Sequence, residues 1–260
     1  MTTDPVLGRL GGFPRLLLFD LDDTLFDHAF ACRSGLAAMR EAHRLFRSVP
    51  LDELCVVYGR LLRETFADVA IGRLDHDTSR ERRFRRLAKY AGSSISAAQA
   101  REYSNEYRAR YDVARRMVPG VLPLLDALRP LARLGVVTNN TWEEQAGKLR
   151  LLGVFDRFVG LTASDVVGVP KPDPGIFVAA LDQAGVGPEE TVMVGDSWAE
   201  DVRGAIAAGI PPVWFNRFRS PPLDPVAVPT VISVVPVTAT VAAIRDAHAR
   251  RPREALGPRR

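Results

Sequence analysis

The chain is poor in cysteine: Cys32 and Cys55 are the only two in 260 residues, and no CxxC pair exists. Neither a disulfide framework nor a thiolate metal site is expected, and both thiols are read as reduced, in a cytoplasmic protein. Long apolar runs are missing too. Stretches such as "VISVVPV" at 231–237 fall far short of the ~20 residues that a membrane helix needs, so no membrane segment is expected. A basic region followed by an apolar one is absent from the first residues, which argues against a secretory signal. Lysine is scarce, with Lys89, Lys148 and Lys171 the only three among 35 basic residues. The net charge of +4 gathers at 80–86 and in the last dozen residues, with no aromatic platform or groove motif beside it. That pattern reads as a solvated helix face and a basic tail, not as a nucleic-acid surface.

What the chain does have is alternation. Apolar runs that end in polar residues, at 16–20, 135–139, 157–162, 191–196, 213–216 and 230–235, alternate with helical patterns. This is the mark of a parallel β-sheet with crossover helices. Helix starts are signalled by Thr141 with Glu144, Asp173 before Pro174, and Ser197 with Glu200, and stops by Gly153, Gly185 and Gly209. Between Asp27 and Met117 the pattern changes and no convincing strand occurs. Leu54, Val57, Tyr58, Leu61 and Leu62 share one helical stripe, Thr78 with Glu81 and Ser96 with Gln99 mark helix starts, and Tyr103, Tyr107 and Tyr111 recur every fourth residue as a packing seam. The expected fold is α/β, a Rossmann-like parallel sheet core formed by 1–27 and 117–250. A helical domain is inserted at 28–116, and 251–260 form a basic tail without fixed structure.

In a parallel sheet, functional groups collect beyond the carboxyl ends of the strands. Taken in order, these ends carry Asp20 with Asp22, Thr138 with Asn139, Ser164 with Asp165, and Asp196. Lys171, in a loop between a strand and a capped helix, can reach the same edge. Clustered carboxylates repel one another unless a proton or a cation intervenes. Mg²⁺, a hard cation that favours oxygen ligands, fits Asp20 and Asp196. Asp20 and Asp22 are two apart, and the chain is expected to leave strand geometry after Asp20, where the apolar run ends. Asp20 is the better nucleophile on phosphorus, and Asp22 is then the acid that protonates the departing alkoxide and the base that activates water. Asp23 reads as an exposed turn residue, and the four histidines as structural or solvated.

These residues resemble the haloacid dehalogenase superfamily of phosphohydrolases. The match is ordered: "DLDDT" at 20–24, "VVTNN" with Thr138, "PKPDPGIF" with Lys171, and "GDSWAEDVRGAIAAG" with Asp196 and Asp201. Asn140 departs from the pattern, standing where Gly often follows. The resemblance implies that Asp20 is nucleophile and metal ligand, and that Asp22 supplies acid/base chemistry and a backbone carbonyl to Mg²⁺. Thr138, Asn139 and Lys171 would hold the phosphate, Asp196 would complete the metal site, and Thr24 and Asp201 would stand behind it. The insert is then a cap domain that selects the substrate. The expected activity is Mg²⁺-dependent hydrolysis of a small phosphorylated metabolite, such as a nucleoside 5'-monophosphate or a sugar phosphate, by a monomer or homodimer. Within the family the chain looks most like the pyrimidine 5'-nucleotidase and N-acylneuraminate-9-phosphatase branch, with a phosphoglycolate-type phosphatase or a phosphomutase as alternatives. A haloacid dehalogenase proper lacks an acid at the position of Asp22, a signalling receiver has no room for the insert, and a catalytically dead phosphate-binding module would not need all the acids that are present.

Overall fold

The computed structural model describes residues 12–70 and 73–250 of the chain, so the basic tail at 251–260 lies outside the described residues. Two compact units are present: one takes in the chain up to Leu25 and again from Met117, and the other runs Phe26–Arg116.

The first unit is built on six parallel strands: β1 (Leu16–Phe19), β2 (Arg133–Thr138), β3 (Gly160–Ala163), β4 (Thr191–Gly195), β5 (Pro212–Phe215) and β6 (Thr230–Val231), in the spatial order β3-β2-β1-β4-β5-β6. β1 is central. Its four residues are at most 2% exposed, as a strand covered on both faces by crossover helices requires, and this is why it reads as an unbroken apolar run and not as an alternating one. On one face Leu16 and Leu18 pack with Val137 and Met193 against Ile176, Phe177, Ala180 and Leu181 of the helix Pro174–Ala184. The strand order reverses at β1, with β2 on one side and β4 on the other. Such a switch point opens a crevice at the carboxyl ends of these strands.

Several local expectations shift. β3 starts only at Gly160, because residues 155–157 close a tight 3₁₀ turn. β6 stops after two residues, because the Ser233 hydroxyl accepts the Val235 N–H and the chain turns into the helix Val237–Ala249. Thr141 makes no side-chain cap on the helix Trp142–Leu151; the Trp142 N–H is instead taken by Asp165 Oδ1, at 3.0 Å. Asp173 and Ser197 cap their helices, but the Glu200 side chain accepts from Asn139 instead of closing a capping box with Ser197.

The second unit is all helix. The helix His76–Tyr90 is capped by Asp75, whose carboxylate takes both the N–H and the hydroxyl of Thr78, so Thr78 is the residue being capped. Ser96 and Gln99 form a complete capping box for Ala97–Val113. Tyr103, Tyr107 and Tyr111 are all buried, as a packing seam requires. The arginine block is not uniformly solvated. Arg83 is 5% exposed and lies over the Tyr58 ring at 5.2 Å, because its position on this helix turns inward and the aromatic face attracts the guanidinium. The two ends of the unit are tied together, the Arg116 guanidinium donating to the fully buried Asp27 carboxylate and the Asp27 N–H to the Arg116 carbonyl. Among the described residues, no helix is long and apolar enough to cross a membrane.

Close packing at the end of β4 sets a test. A Cβ at Gly195 would stand 2.3 Å from the Asp201 carboxyl carbon, whereas one at Gly147, inside a helix, meets nothing within 4 Å. Gly195→Ala is expected to cost about 1–3 kcal/mol, read as a fall of several degrees in the melting temperature. Gly147→Ala is expected to be neutral or to stabilise by up to ~1 kcal/mol.

Candidate active site

The end of β1 delivers two carboxylates to one edge by abandoning strand geometry. The Asp20 N–H still bonds the Val194 carbonyl of β4, but one residue later the Leu21 carbonyl accepts from Thr24 and Leu25, closing a turn. Asp23, with φ at 65°, sits in the left-handed region that short polar side chains tolerate. The turn lies inside the fold, so Asp23 is only partly exposed and faces Arg217 at 3.6 Å; the expected exposed turn residue is a half-buried ion-pair partner.

Lys171 is the hub. Its ammonium, 1% exposed, donates to Asp20 Oδ1 (2.7 Å), Asp201 Oδ1 (2.6 Å) and the Val137 carbonyl (3.0 Å), which exhausts its three N–H bonds. Burial works against its charge, yet Asp20 and Asp201 outweigh burial and raise its pKa. Asn139 holds the Lys171 backbone from both sides, accepting from its N–H and donating to its carbonyl at 2.9 Å, with a further bond to Glu200 at 3.1 Å. The Asn139 amide, expected on the phosphate, is thus engaged in positioning Lys171. Asp201 is fully committed too, its second oxygen accepting the Ser197 N–H at 2.9 Å.

Carboxylate oxygens of Asp20, Asp196 and Asp201 lie within 4.8 Å of one another. Asp20 Oδ2 is buried without any hydrogen-bond partner. Among the described residues, the Asp196 carboxylate receives only a long bond, 3.4 Å, from the Thr24 hydroxyl, while its backbone carbonyl is held by Trp214 Nε1 at 2.9 Å. Burial pushes the Asp20 carboxyl from 3.8 up to about 7 despite Lys171, and burial together with Asp20 pushes Asp196 well above the carboxylate range. Burial likewise raises Glu200 and Asp201. A single ammonium cannot balance this many buried acids, so protons or a divalent cation must. Since Asp201 has both oxygens engaged, Asp20 Oδ2 and the Asp196 carboxylate are the groups left to ligate. An all-oxygen donor set fits Mg²⁺.

A second cluster adjoins the first. Asp22 has one oxygen on Lys148 Nζ (2.6 Å) and the other on Gln145 Nε2 (3.0 Å), and the same amide nitrogen donates to the Thr138 hydroxyl at 2.7 Å. Neither Lys148 nor Gln145 was singled out as a site residue from the sequence. The available signal was the scarcity of lysine: two of the three lysines are buried beneath the strand ends.

Compared with known proteins, residues 14–209 match the family of haloacid dehalogenase-like hydrolases. The chain is 32% identical over 224 residues to the glyceraldehyde 3-phosphate phosphatase of Methanopyrus kandleri, covering 81% of this chain and 88% of that one. A shorter similarity, 41% over 101 residues, joins it to the pyrimidine 5'-nucleotidase YjjG of Escherichia coli, covering 38% of this chain and 44% of that one. Among solved structures, the HAD-hydrolase YfnB of Bacillus subtilis, bound to magnesium, shares the fold with a TM-score of 0.70 at 23% identity, over 88% of this chain and 99% of that one.

The raised acids predict how stability responds to pH. A carboxyl whose folded pKa lies above its unfolded value stabilises the fold below the unfolded value and loses that contribution as pH rises through the folded one. For Asp20 the window runs from 3.8 to about 7. At ~1.4 kcal/mol per pKa unit, the loss is on the order of 4 kcal/mol. With a chelator, the melting temperature is expected to fall from about pH 5 to about pH 8, and Mg²⁺ to raise it more at the higher pH. Equal stabilisation by Mg²⁺ at both pH values would contradict the assignment.

Proposed function

The chain belongs to the haloacid dehalogenase-like hydrolases, and on that premise we propose that it is a Mg²⁺-dependent phosphatase that releases phosphate from a small phosphorylated metabolite through an aspartyl-phosphate on Asp20. The observation that carries this reading is the divided environment of Asp20: Oδ1 is fixed by Lys171, while Oδ2 is buried without a partner close to Asp196. Asp20 and Asp196 would hold a Mg²⁺ ion, which when bound offsets the charge of the acids and of the phosphate.

Each remaining role follows from what a side chain has left to give. An Asp20 carboxylate oxygen attacks phosphorus, its O–P bond forming as the bond from phosphorus to the ester oxygen breaks. A proton passes from Asp22 to that departing oxygen, so an alcohol leaves and not an alkoxide. Asp22 then takes a proton from water as the water oxygen attacks phosphorus; the Asp20–phosphorus bond breaks and inorganic phosphate forms. Thr138 accepts its hydrogen bond from Gln145, which leaves its own hydroxyl hydrogen free to donate to a phosphate oxygen. Lys171 has no N–H to spare and acts on the phosphate as a fixed positive charge. An acid at Asp22 has a purpose when an alcohol must be released; displacing halide from carbon needs none.

The two relatives act on different phosphomonoesters, a triose phosphate and a pyrimidine nucleotide by their names. We assign the choice of substrate in this chain to a cap function of the helical unit Phe26–Arg116. Phosphate release should be measured from nucleoside monophosphates, triose and sugar phosphates and phosphoglycolate, with Mg²⁺ and with a chelator. Metal-dependent turnover concentrated on one class is expected. Asp20→Asn is expected to lower turnover on the order of 10³-fold or more while keeping the fold, and near wild-type activity in that variant would overturn the nucleophile assignment. Asp22→Ala should lose ~10²–10⁴-fold against alkyl phosphates.

A further inference from the structure

The helix Trp142–Leu151 carries two side chains whose chemistry its own packing does not explain. Lys148 is 1% exposed and Gln145 fully buried, positions where methionine or leucine would fill similar volume without desolvating a charge or an amide. Gln145 even leaves its Oε1 buried and unpartnered. While Asp22 is ionised it only accepts, so the amide nitrogen must meet it. Both residues converge on Asp22, one on each carboxylate oxygen, at 2.6 and 3.0 Å. The helix is itself fixed at its start by Asp165 from beyond the end of β3.

We propose that Lys148 and Gln145 are positioning residues that hold the Asp22 carboxylate in one orientation, with Gln145 joining it to the phosphate-binding Thr138, so that the proton-transfer steps of the reaction depend on this helix. The inference rests on the phosphatase reading above. An aspartate side chain has several staggered positions about χ1, and a contact to each oxygen selects one. Every carboxylate oxygen can engage two partners, so being held does not by itself bar Asp22 from proton exchange.

The two chemical steps differ in their need for Asp22, and that difference supplies the test. p-Nitrophenolate is a good leaving group without a proton, whereas phenolate needs more help, and in both cases breakdown of the aspartyl-phosphate needs the base. Wild type, Lys148→Met and Gln145→Met would be compared with saturating Mg²⁺ on p-nitrophenyl phosphate and phenyl phosphate, following phenol and phosphate release in single turnovers. In each variant, nitrophenolate release is expected to stay within about threefold of wild type while phosphate release from the enzyme, and phenyl phosphate turnover, fall ~10²-fold. Gln145→Met should also raise KM through Thr138 and keep or raise the melting temperature. If Lys148→Met fails to fold, Gln145→Met carries the same test. A variant in which both releases fall alike, or in which neither falls, overturns the positioning role while leaving the phosphatase reading intact. A wild-type protein that hydrolyses neither ester removes that reading and this inference with it.

Discussion

The Lys171 ammonium ties together the carboxyl ends of three neighbouring strands. Through Asp20 it reaches β1, through the Val137 carbonyl β2, and through Asp201 the turn that follows β4. An arginine could not replace it, since a planar fork cannot send three donors toward three converging acceptors from one atom. A buried ammonium is costly to desolvate and is tolerated only when its partners are themselves fixed. They are: Asn139 grips the Lys171 backbone, Ser197 N–H anchors Asp201, and Gly195 leaves no atom in the space that the Asp201 carboxyl occupies. Removing any one of these supports would free a charge in a place that water does not reach.

The same edge holds three of the buried polar atoms that have no hydrogen-bond partner among the described residues. Asp20 Oδ2, Gln145 Oε1 and Ser164 Oγ, all buried without a partner, sit just past β1, on the helix after β2, and just past β3. An unsatisfied buried acceptor costs ~1–3 kcal/mol, and a residue in a left-handed conformation such as Asp23 adds strain of similar order, ~1–3 kcal/mol. The burial that makes Asp20 and Asp196 hard to ionise makes the pair a strong attractor for a cation. Stability is lowered locally where charge from a substrate or a metal can restore it.

Much of this was legible in the chain, for reasons that also mark the limit. Buried parallel strands must be apolar and must end in polar residues, so β1, β2 and β4 and the polar residues at their ends could be read directly. The lysine between prolines stood out because the chain otherwise uses arginine. The order of the strands could not be read, since each pairs equally well by backbone alone. Asn139 illustrates a different limit: its type and place suit a phosphate ligand, yet a loop 32 residues away claims both ends of its amide. Arg83 and Lys148 were hidden for a related reason. A charged residue on a helix reads as solvated, and only the partner across the fold, Tyr58 or Asp22, makes its burial tolerable.

Two carboxylates separated by one residue have been given opposite surroundings, which suits them to the different steps proposed for them. Asp20 is 7% exposed, with one oxygen on a buried ammonium and the other bare. The Asp22 side chain is 28% exposed, with each oxygen held by its own donor. Each acid therefore has its own lysine, Lys148 for Asp22 and Lys171, shared with Asp201, for Asp20, so the repulsion between Asp20 and Asp22 is offset locally. A nucleophile gains from a dry and fixed setting. A group that must exchange protons with a leaving oxygen and then with water gains from partial exposure and a fixed orientation. The turn at Asp23 makes the difference possible, because an extended chain would have sent Asp22 along the same strand as Asp20 and not across to the helix that holds it.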